Sequence, residues 1–320
     1  MIDVLRARRR IAPHVRRTPL VRSVWLSDLA GASVSLKLES QQVTSSFKAR
    51  GAFNAVIARL ERPTPPTRLV TASAGNHGRG LAAAARMFKL PLVVFTPADA
   101  PKAKLDAIRR DGADLRAEGR DYDEAEKMAK AYATQTGAEF ISPYSDADVI
   151  AGAATVALEI FEDAPDTDTL IVPIGGGGLV SGIGSVAKAI APSCDVVGVE
   201  LDVSCVFQES RKAGHVVEIV PGASLADGLG GNLDPGSITW DLVQRFVDRL
   251  VTVSEDDLAR AVAGLVEAEH LVAEASGATA TAALVGRRLD VKGRRVAVVV
   301  SGANIDRARL ASLLSTTTLG

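Results

Sequence analysis

The stretch Ser45-Ser46-Phe47-Lys48-Ala49-Arg50-Gly51-Ala52 decides how the rest of the chain is interpreted. Ser45 or Ser46 can cap a helix that begins here. At helical spacing Lys48 shares one face with Ala52 and Ala55, so the lysine lies among small apolar neighbours. Such a lysine either extends along the surface to reach water, or it is buried with its charge disfavoured. A buried amine of the second kind is a nucleophile towards carbonyls.

Three later stretches favour the nucleophile: Ser73-Ala74-Gly75-Asn76-His77-Gly78, Gly175-Gly176-Gly177-Gly178 and Ser301-Gly302-Ala303-Asn304. The four glycines follow a predicted strand and precede a predicted helix, which places backbone N–H groups and a helix N-terminus around an anion. A tight turn with positive φ would not require four consecutive glycines. An amine, a phosphate cradle and a hydroxyl for a ring nitrogen are together what pyridoxal phosphate (PLP) requires.

A nucleotide site is the alternative interpretation of the glycine loop. Glu200 lies about where a dinucleotide-binding fold places its ribose-binding acid. The pattern Gly-x-Gly-x-x-Gly does not fit, however, because positions 180 and 181 are Val and Ser. We therefore favour a loop for a cofactor phosphate, with a non-catalytic nucleotide-binding protein as the alternative from a different class.

Strands and helices alternate along most of the chain, which predicts an α/β fold with parallel sheets and right-handed crossovers. The continuous apolar run at 296–300 is typical of a buried parallel strand. The proline-rich segment 62–67 is a predicted hinge. The other predicted strands are 33–39, 69–71, 92–95, 140–142, 169–174, 196–199 and 251–253. Besides the lysine helix, an N-terminal helix with Val4, Ala7 and Ile11 on one face and a short helix after Leu20, the predicted helices are 75–86, 101–111, 123–136, 149–161, 179–190, 205–213 and 256–270.

The bulk properties exclude several classes of protein. A net charge of -1 gives no reason to expect nucleic acid or an anionic membrane surface as a partner. No apolar run approaches the roughly 18 residues of a membrane span. The N-terminal arginines are not followed by the apolar stretch of a secretory signal, and Cys194 and Cys205 are expected to be buried free thiols. We therefore expect a cytoplasmic protein.

The motif Ser-Phe-Lys-x-Arg-Gly-Ala at 46–52, with the three later motifs in the same order, resembles the serine/threonine dehydratase and serine racemase family, fold type II of the PLP enzymes. The resemblance extends from Thr18 to about Asp306. It implies two parallel-sheet domains with PLP in the cleft between them. Residues 1–67 and 145–320 would form the large PLP-binding domain, and residues 68–144 the small domain.

The resemblance also implies the site residues. Lys48 would hold PLP covalently and take the Cα proton of the substrate, Asn76 would contact the ring hydroxyl, and Ser301 the pyridine nitrogen. The positions that match cofactor-binding residues are Phe47, Lys48, Asn76, Gly175, Gly176, Gly177, Gly178, Gly228, Glu274 and Ser301. The positions that match the substrate-carboxylate site are Ser73, Gly75, Asn76 and His77.

The sequence departs from the family pattern at several positions. Tyr144 stands where members commonly have Asn or Phe beside the ring, and Ala153 replaces a frequent glutamine. Glu200 matches one acid of the divalent-cation site of racemase-like members, but the later acid aligns with Val206, so cation binding stays open. Ala74 replaces the serine that precedes Gly-Asn-His-Gly in serine racemases.

The resemblance predicts a PLP-dependent ammonia-lyase that converts a small β-hydroxy-α-amino acid, such as threonine or serine, to a 2-oxo acid and ammonia. An amino-acid racemase or β-replacement enzyme of the same fold is the alternative. The sequence leaves open whether the substrate is serine, threonine, or a bulkier or acidic β-hydroxy amino acid. A homo-oligomer is expected, because the family is usually dimeric or tetrameric. No regulatory domain of the kind found in longer threonine dehydratases is expected after residues 301–304.

Overall fold

The computed structural model describes residues 1–100 and 102–317 of the chain, so the predicted helix start at Pro101 lies outside the described residues. The helices are α1 Ile2–Ile11, α2 Val24–Ala30, α3 Lys48–Leu60, α4 Asn76–Met87, α5 Lys102–Arg110, α6 Tyr122–Thr136, α7 Ala147–Asp163, α8 Gly178–Ile190, α9 Val206–Ala213, α10 Ile238–Phe246, α11 Glu255–Glu267, α12 Ala275–Val285 and α13 Arg307–Thr316. The strands are β1 Leu20–Arg22, β2 Ser33–Leu38, β3 Leu69–Ala72, β4 Leu92–Pro97, β5 Asp114–Gly119, β6 Glu139–Phe140, β7 Thr169–Pro173, β8 Asp195–Leu201, β9 Arg249–Val253 and β10 Arg295–Val300.

The larger sheet has the strand order β1-β2-β10-β7-β8-β9. Its strands run parallel, as the apolar pattern predicts, except that β1 pairs antiparallel with β2. This three-residue edge strand is too short to have been recognised as a strand in the sequence. The predicted buried strand at 296–300 lies inside the sheet between β2 and β7, with every one of these five side chains buried. Such burial on both faces explains the continuous apolar run.

The smaller sheet is entirely parallel and has the order β5-β4-β3-β6. Its strands all come from residues 69–140, within the segment assigned above to the small domain. The helix α3 packs against α4 and α7, and its buried residues Ala52, Phe53 and Val56 share one hydrophobic cluster with Leu69 and Leu92 of this sheet. The lysine helix therefore follows the second strand of the larger sheet in sequence and shares the hydrophobic cluster of the smaller one. The domain boundaries themselves stay a prediction.

The hydrophobic pattern missed β1, β5, α10, α12 and α13. The strand β5 carries charged residues in alternation with Leu115 and Ala117, and lies at the edge of its sheet, where a half-exposed strand retains little apolar signal. The helix α12 is buried from Ala275 to Leu284 on every face. It therefore lacks the polar side whose periodicity identifies a helix in a sequence.

The start of α3 differs from the prediction. The helix begins at Lys48 with Phe47 at the N-cap and without a side-chain cap, so the prediction that Ser45 or Ser46 caps it is wrong. The Oγ of Ser46 only accepts a long hydrogen bond, 3.4 Å, from the N–H of Lys48. The Phe47 N–H donates to the carbonyl of Ser301 at 3.1 Å, and Ser46 forms a β-bridge to Gly302. This pairing holds the first motif beside the last one.

The two cysteines lie away from this pairing, and both are free. Cys194 is buried and free as expected, but Cys205 is free and only half-buried. Its position directly before α9, at the end of the larger sheet, leaves its sulfur partly open to solvent. None of the helices within residues 1–100 and 102–317 is long and apolar enough to cross a bilayer.

Candidate active site

Lys48 is the first residue of α3 and is half-buried. Its Nζ donates a hydrogen bond to the carbonyl of Pro143 at 2.7 Å and lies 5.3 Å from the centre of the Phe47 ring. No carboxylate pairs with it among the described residues, and burial lowers the pKa of the amine to about 8. The structure therefore favours the nucleophilic interpretation of this lysine, because the neutral amine is accessible near physiological pH.

The second motif forms the turn between β3 and α4. The hydroxyl of Ser73 accepts a hydrogen bond from the N–H of Gly75 at 3.2 Å. Asn76, the first residue of α4, donates from Nδ2 to Glu274 Oε1 at 2.6 Å and accepts from Nδ2 of Asn304 at 2.6 Å. One amide thus connects the turn of the smaller sheet to two loops of the larger sheet.

His77 is buried, yet neither of its ring nitrogens has a hydrogen-bond partner among the described residues. Burial, together with the positive charge of Lys48, lowers the pKa of the imidazole to about 3. His77 is therefore neutral at physiological pH, which leaves one ring N–H to donate and one nitrogen to accept. Unpaired polar atoms of this kind are rare in folded proteins, and a bound molecule is one partner that can satisfy them.

The glycine loop connects β7 to α8, as predicted. A Cβ atom on Gly176 would lie 2.3 Å from the Tyr144 ring, and one on Gly177, where φ is +84°, would lie 2.6 Å from Phe207. No N–H group of Gly175, Gly176, Gly177 or Gly178 donates a hydrogen bond to another described residue. Four free N–H groups at the start of a helix form a ready cradle for an anion.

Tyr144 and Ser181 complete the surroundings of this loop. The Tyr144 hydroxyl accepts a hydrogen bond from the N–H of Asp234 at 3.1 Å, which holds the ring against Gly176. Burial raises the pKa of this hydroxyl well above its ordinary value. The Ser181 hydroxyl, in the first turn of α8, is buried and has no hydrogen-bond partner among the described residues. An anion held by the loop would thus have a further donor nearby.

The remaining predicted residues lie where the larger sheet ends at β10. Ser301 is buried, and its hydroxyl is 3.4 Å from the carbonyl of Ser276, a long hydrogen bond. Gly228 faces Ser276, since a Cβ atom there would lie 3.1 Å from the serine Oγ. Glu274 is the N-cap residue of α12, and burial raises the pKa of its carboxyl even though Asn76 donates to it.

The structure brings part of the predicted site together around one cavity of about 240 Å³. Gly75, Asn76, Gly228 and Glu274 line this cavity. The Lys48 amine and the glycine loop do not line it, but both contact segment 143–144, the lysine at Pro143 and the loop at Tyr144. Segment 143–144 was recognised in the sequence only as a departure from the family pattern.

Glu200 has a different partner from those considered in the sequence. Its two carboxylate oxygens accept hydrogen bonds from the N–H groups of Phe207 and Gln208 at 2.8 and 2.9 Å, so the side chain caps α9. Burial raises the pKa of the carboxyl to about 7 against the effect of these two donors. At 1% exposure it does not reach a nucleotide ribose. No group of three His, Cys, Asp or Glu side chains that could hold a metal occurs in the described part of the chain.

A buried ion cluster next to the site was missed in the sequence. Arg50 donates to both oxygens of Glu39 and of Glu159, and Lys37 Nζ lies 2.6 Å from Glu159. All four side chains are at most 11% exposed. The cluster joins α3 to β2 and α7 two residues after Lys48. The only signal for it in the sequence is an arginine inside an otherwise apolar helix face, because its partners are up to 109 residues away.

The residues of the candidate active site fit PLP. Four free N–H groups and the unpaired Ser181 hydroxyl suit a phosphate, and the Lys48 amine suits the aldehyde carbon. The unpaired His77 nitrogens and the weakly bonded Ser301 hydroxyl are polar groups that a bound cofactor and substrate can satisfy.

Comparison with known proteins agrees with this fit. Residues 11–302 match the family described as pyridoxal-phosphate dependent enzyme. The L-threonine ammonia-lyase of Thermotoga maritima is 41% identical over 95% of this chain and 75% of that protein. The processed form of threonine deaminase isoform 2 from Solanum lycopersicum has a TM-score of 0.90 at 31% identity, covering 98% of this chain and 86% of that one. Maize serine racemase has a TM-score of 0.89 at 32% identity, covering 98% and 96%. The chain belongs to the pyridoxal-phosphate dependent enzymes of fold type II, and PLP is its cofactor.

Proposed function

We propose that this chain is a PLP-dependent ammonia-lyase that converts a small β-hydroxy-α-amino acid, such as threonine or serine, to a 2-oxo acid and ammonia. The reaction balances, because the water lost from Cα–H and Cβ–OH is regained when the resulting imine is hydrolysed. The observation that carries the proposal is the buried Lys48 amine, whose pKa is lowered to about 8 and which has no carboxylate partner in the described chain. The name of the Thermotoga maritima relative supports the same reaction.

Bound PLP withdraws electrons from the substrate Cα and makes its hydrogen acidic. In the proposal, Lys48 holds the cofactor and then takes the Cα proton at Nζ, which its lowered pKa favours. The N–H groups of Gly175, Gly176, Gly177 and Gly178 hold the phosphate, and Phe47, Asn76, Gly228, Glu274 and Ser301 surround the ring. Ser73, Gly75, Asn76 and His77 hold the substrate carboxylate. His77 takes part as a neutral hydrogen-bonding group, since the pKa of its ring is about 3.

Racemisation is the second candidate, because the fold also matches a serine racemase. A racemase needs a proton-transfer group on each face of Cα, and Lys48 can serve only one. The serine that precedes Gly-Asn-His-Gly in serine racemases is replaced by Ala74 here, and Ala74 has no proton to donate. The proposal therefore favours elimination over racemisation.

The test of the proposed function is the release of 2-oxo acid from β-hydroxy amino acids of both configurations by the purified, PLP-loaded protein. Lys48→Ala should reduce the release to background and abolish covalent retention of PLP after borohydride reduction. Lys212→Ala is the matched control, because Lys212 is exposed on α9 and only pairs with Glu209. Borohydride labelling of a lysine other than Lys48 would contradict the assignment, and absence of 2-oxo acid from every substrate would contradict the function.

The proposal extends to organisation and location. We propose that residues 1–67 and 145–320 form the large domain and residues 68–144 the small one, supported by the four strands of the smaller sheet within 69–140.

We propose a homo-oligomer in the cytoplasm, supported by the family resemblance and by the two free cysteines, which suit a reducing compartment. Sedimentation of the purified protein tests the oligomer, and fractionation of cells that express the chain tests the location.

A further inference from the structure

The cavity of about 240 Å³ is lined by more basic than acidic side chains. Four basic side chains line it: Arg79, Lys104, Arg110 and Arg309. Lys104 and Arg309 lie 2.5 and 3.6 Å from the carboxylate of Asp227. Arg79 and Arg110 have no carboxylate within 4.0 Å in the described part of the chain. Two guanidinium groups that lack a carboxylate partner among the described residues thus line the same cavity.

The carboxylates of the cavity are already engaged. Asp306 caps α13 by accepting from the N–H of Arg309 at 2.8 Å, and Asp227 is shared between two cations. Glu274 accepts from Asn76, and burial raises the pKa of its carboxyl. None of the three lies within 4.0 Å of the Arg79 or Arg110 guanidinium, although Glu274 and Asp111 attract Arg79 from a greater distance. Both guanidinium groups are therefore available to an anion from outside the chain.

Arg79 is placed to contact that anion next to the proposed substrate site. It lies three residues after Asn76 on α4, so the two side chains share one face of the helix. One Nη donates to Asn304 Oδ1, and Asn304 donates in turn to Asn76. The Nε–H of Arg79 is buried and has no hydrogen-bond partner among the described residues. An unsatisfied buried donor is costly, and this one adjoins a cavity that a ligand can fill.

We propose that Arg79, with Arg110, receives a second carboxylate on the β-carbon side of the substrate, so that the preferred substrate is an acidic β-hydroxy-α-amino acid. The inference rests on the proposed ammonia-lyase reaction and names its substrate class. The methyl group of threonine offers the guanidinium nothing to bind, whereas a carboxylate pairs with it by charge-assisted hydrogen bonds in the planar fork geometry of arginine. Arg110 is exposed and adds a second cation to the same cavity.

The test compares 3-hydroxyaspartate, in all configurations, with threonine on the PLP-loaded enzyme. The kcat/KM for the acidic substrate should exceed that for threonine by at least about tenfold. Arg79→Gln should lower the kcat/KM ratio of the acidic substrate to threonine by roughly 10- to 100-fold, mainly through KM, because it removes hydrogen bonds to a charged group. Arg86→Gln is the matched control: Arg86 lies on the same helix, is exposed and pairs with Asp111, so both activities should stay unchanged.

A binding measurement on the unchanged enzyme gives a second readout that does not depend on turnover or on the folding of a variant. Succinate should bind at least tenfold more tightly than butyrate by calorimetry, and its affinity should fall with added salt. Threonine turned over as well as or better than every isomer of 3-hydroxyaspartate would overturn the inference and leave the proposed function intact. Equal binding of succinate and butyrate would overturn it as well. Failure of every β-hydroxy amino acid to release a 2-oxo acid would instead refute the proposed function, while the succinate comparison would still decide the anion site.

Discussion

Replacing Arg50 by methionine tests the buried ion cluster that fixes the lysine helix. Arg50 is 1% exposed and donates four hydrogen bonds to the carboxylates of Glu39 and Glu159. The intact cluster has two cations, Arg50 and Lys37, for two carboxylates. Arg50→Met keeps the volume but leaves one cation for two buried carboxylates. Because the loss of one partner strands a charge in the interior, we expect the free energy of unfolding to fall by about 3–5 kcal/mol.

The assay is urea unfolding of the PLP-loaded wild type and Arg50→Met, and it compares the midpoint and the slope of the two unfolding curves. Arg8→Met is the matched control, because Arg8 pairs with Glu162 at the surface with its side chain 45% exposed. Exposed pairs contribute about 0–1 kcal/mol, so this variant should change the midpoint little. A loss below about 1 kcal/mol for Arg50→Met, equal to that of the control, would show that the cluster does not stabilise the fold.

The same cluster predicts a pH dependence. Burial opposes ionisation of Glu159, but its hydrogen bonds from Arg50 and the charges of Arg50 and Lys37 lower the pKa of its carboxyl below the ordinary 4.5. The stabilisation from this group is therefore fully present above pH 4.5 and is lost as the pH falls through the folded-state pKa. The difference in stability between wild type and Arg50→Met should narrow over that acidic range in unfolding curves. A difference that stays constant down to pH 2 would contradict the argument.

Four further predictions concern the site. In PLP-free protein the acylation rate of the Lys48 amine should rise with pH, with a midpoint near 8, since burial lowers its pKa to about 8. A midpoint near pH 10.5 would mean that Lys48 is an ordinary exposed lysine. Gly176→Ala should weaken PLP retention at least tenfold in equilibrium dialysis, because its Cβ would lie 2.3 Å from the Tyr144 ring; unchanged retention would show that the loop can move. With Ala74 in place of a serine, inversion at Cα in heavy water should be slow relative to 2-oxo acid release, and rapid inversion by mass spectrometry and chiral analysis would refute this. Ser301→Asp should slow 2-oxo acid release and increase transamination products, because a carboxylate favours a protonated ring nitrogen; unchanged products would exclude Ser301 as the partner of that nitrogen.

The sequence by itself determined the fold class and the order of the motifs. The strand at 296–300 is continuously apolar because neighbouring strands and covering helices bury both of its faces, and local composition records that burial. The four glycines are likewise local, since each close approach of the backbone excludes a Cβ atom at that residue. Composition did not predict α12, because this helix is buried on all faces and has no alternation of apolar and polar sides. Composition did not predict β5 either, because β5 is a charged edge strand.

Only the tertiary structure decided which side chains meet. The sequence gives no sign that Arg50 would contact Glu159, 109 residues away, or that Asn304 would join Asn76 to Arg79. Glu200 looked available for a ribose or a cation, yet the fold turns its carboxylate onto the start of α9. The start of α3 was also decided at long range, because the segment before Lys48 pairs with the chain after β10 instead of being capped by a serine. Contacts of this kind depend on how the two sheets pack, and side-chain charge and spacing along the chain carry no information about that packing.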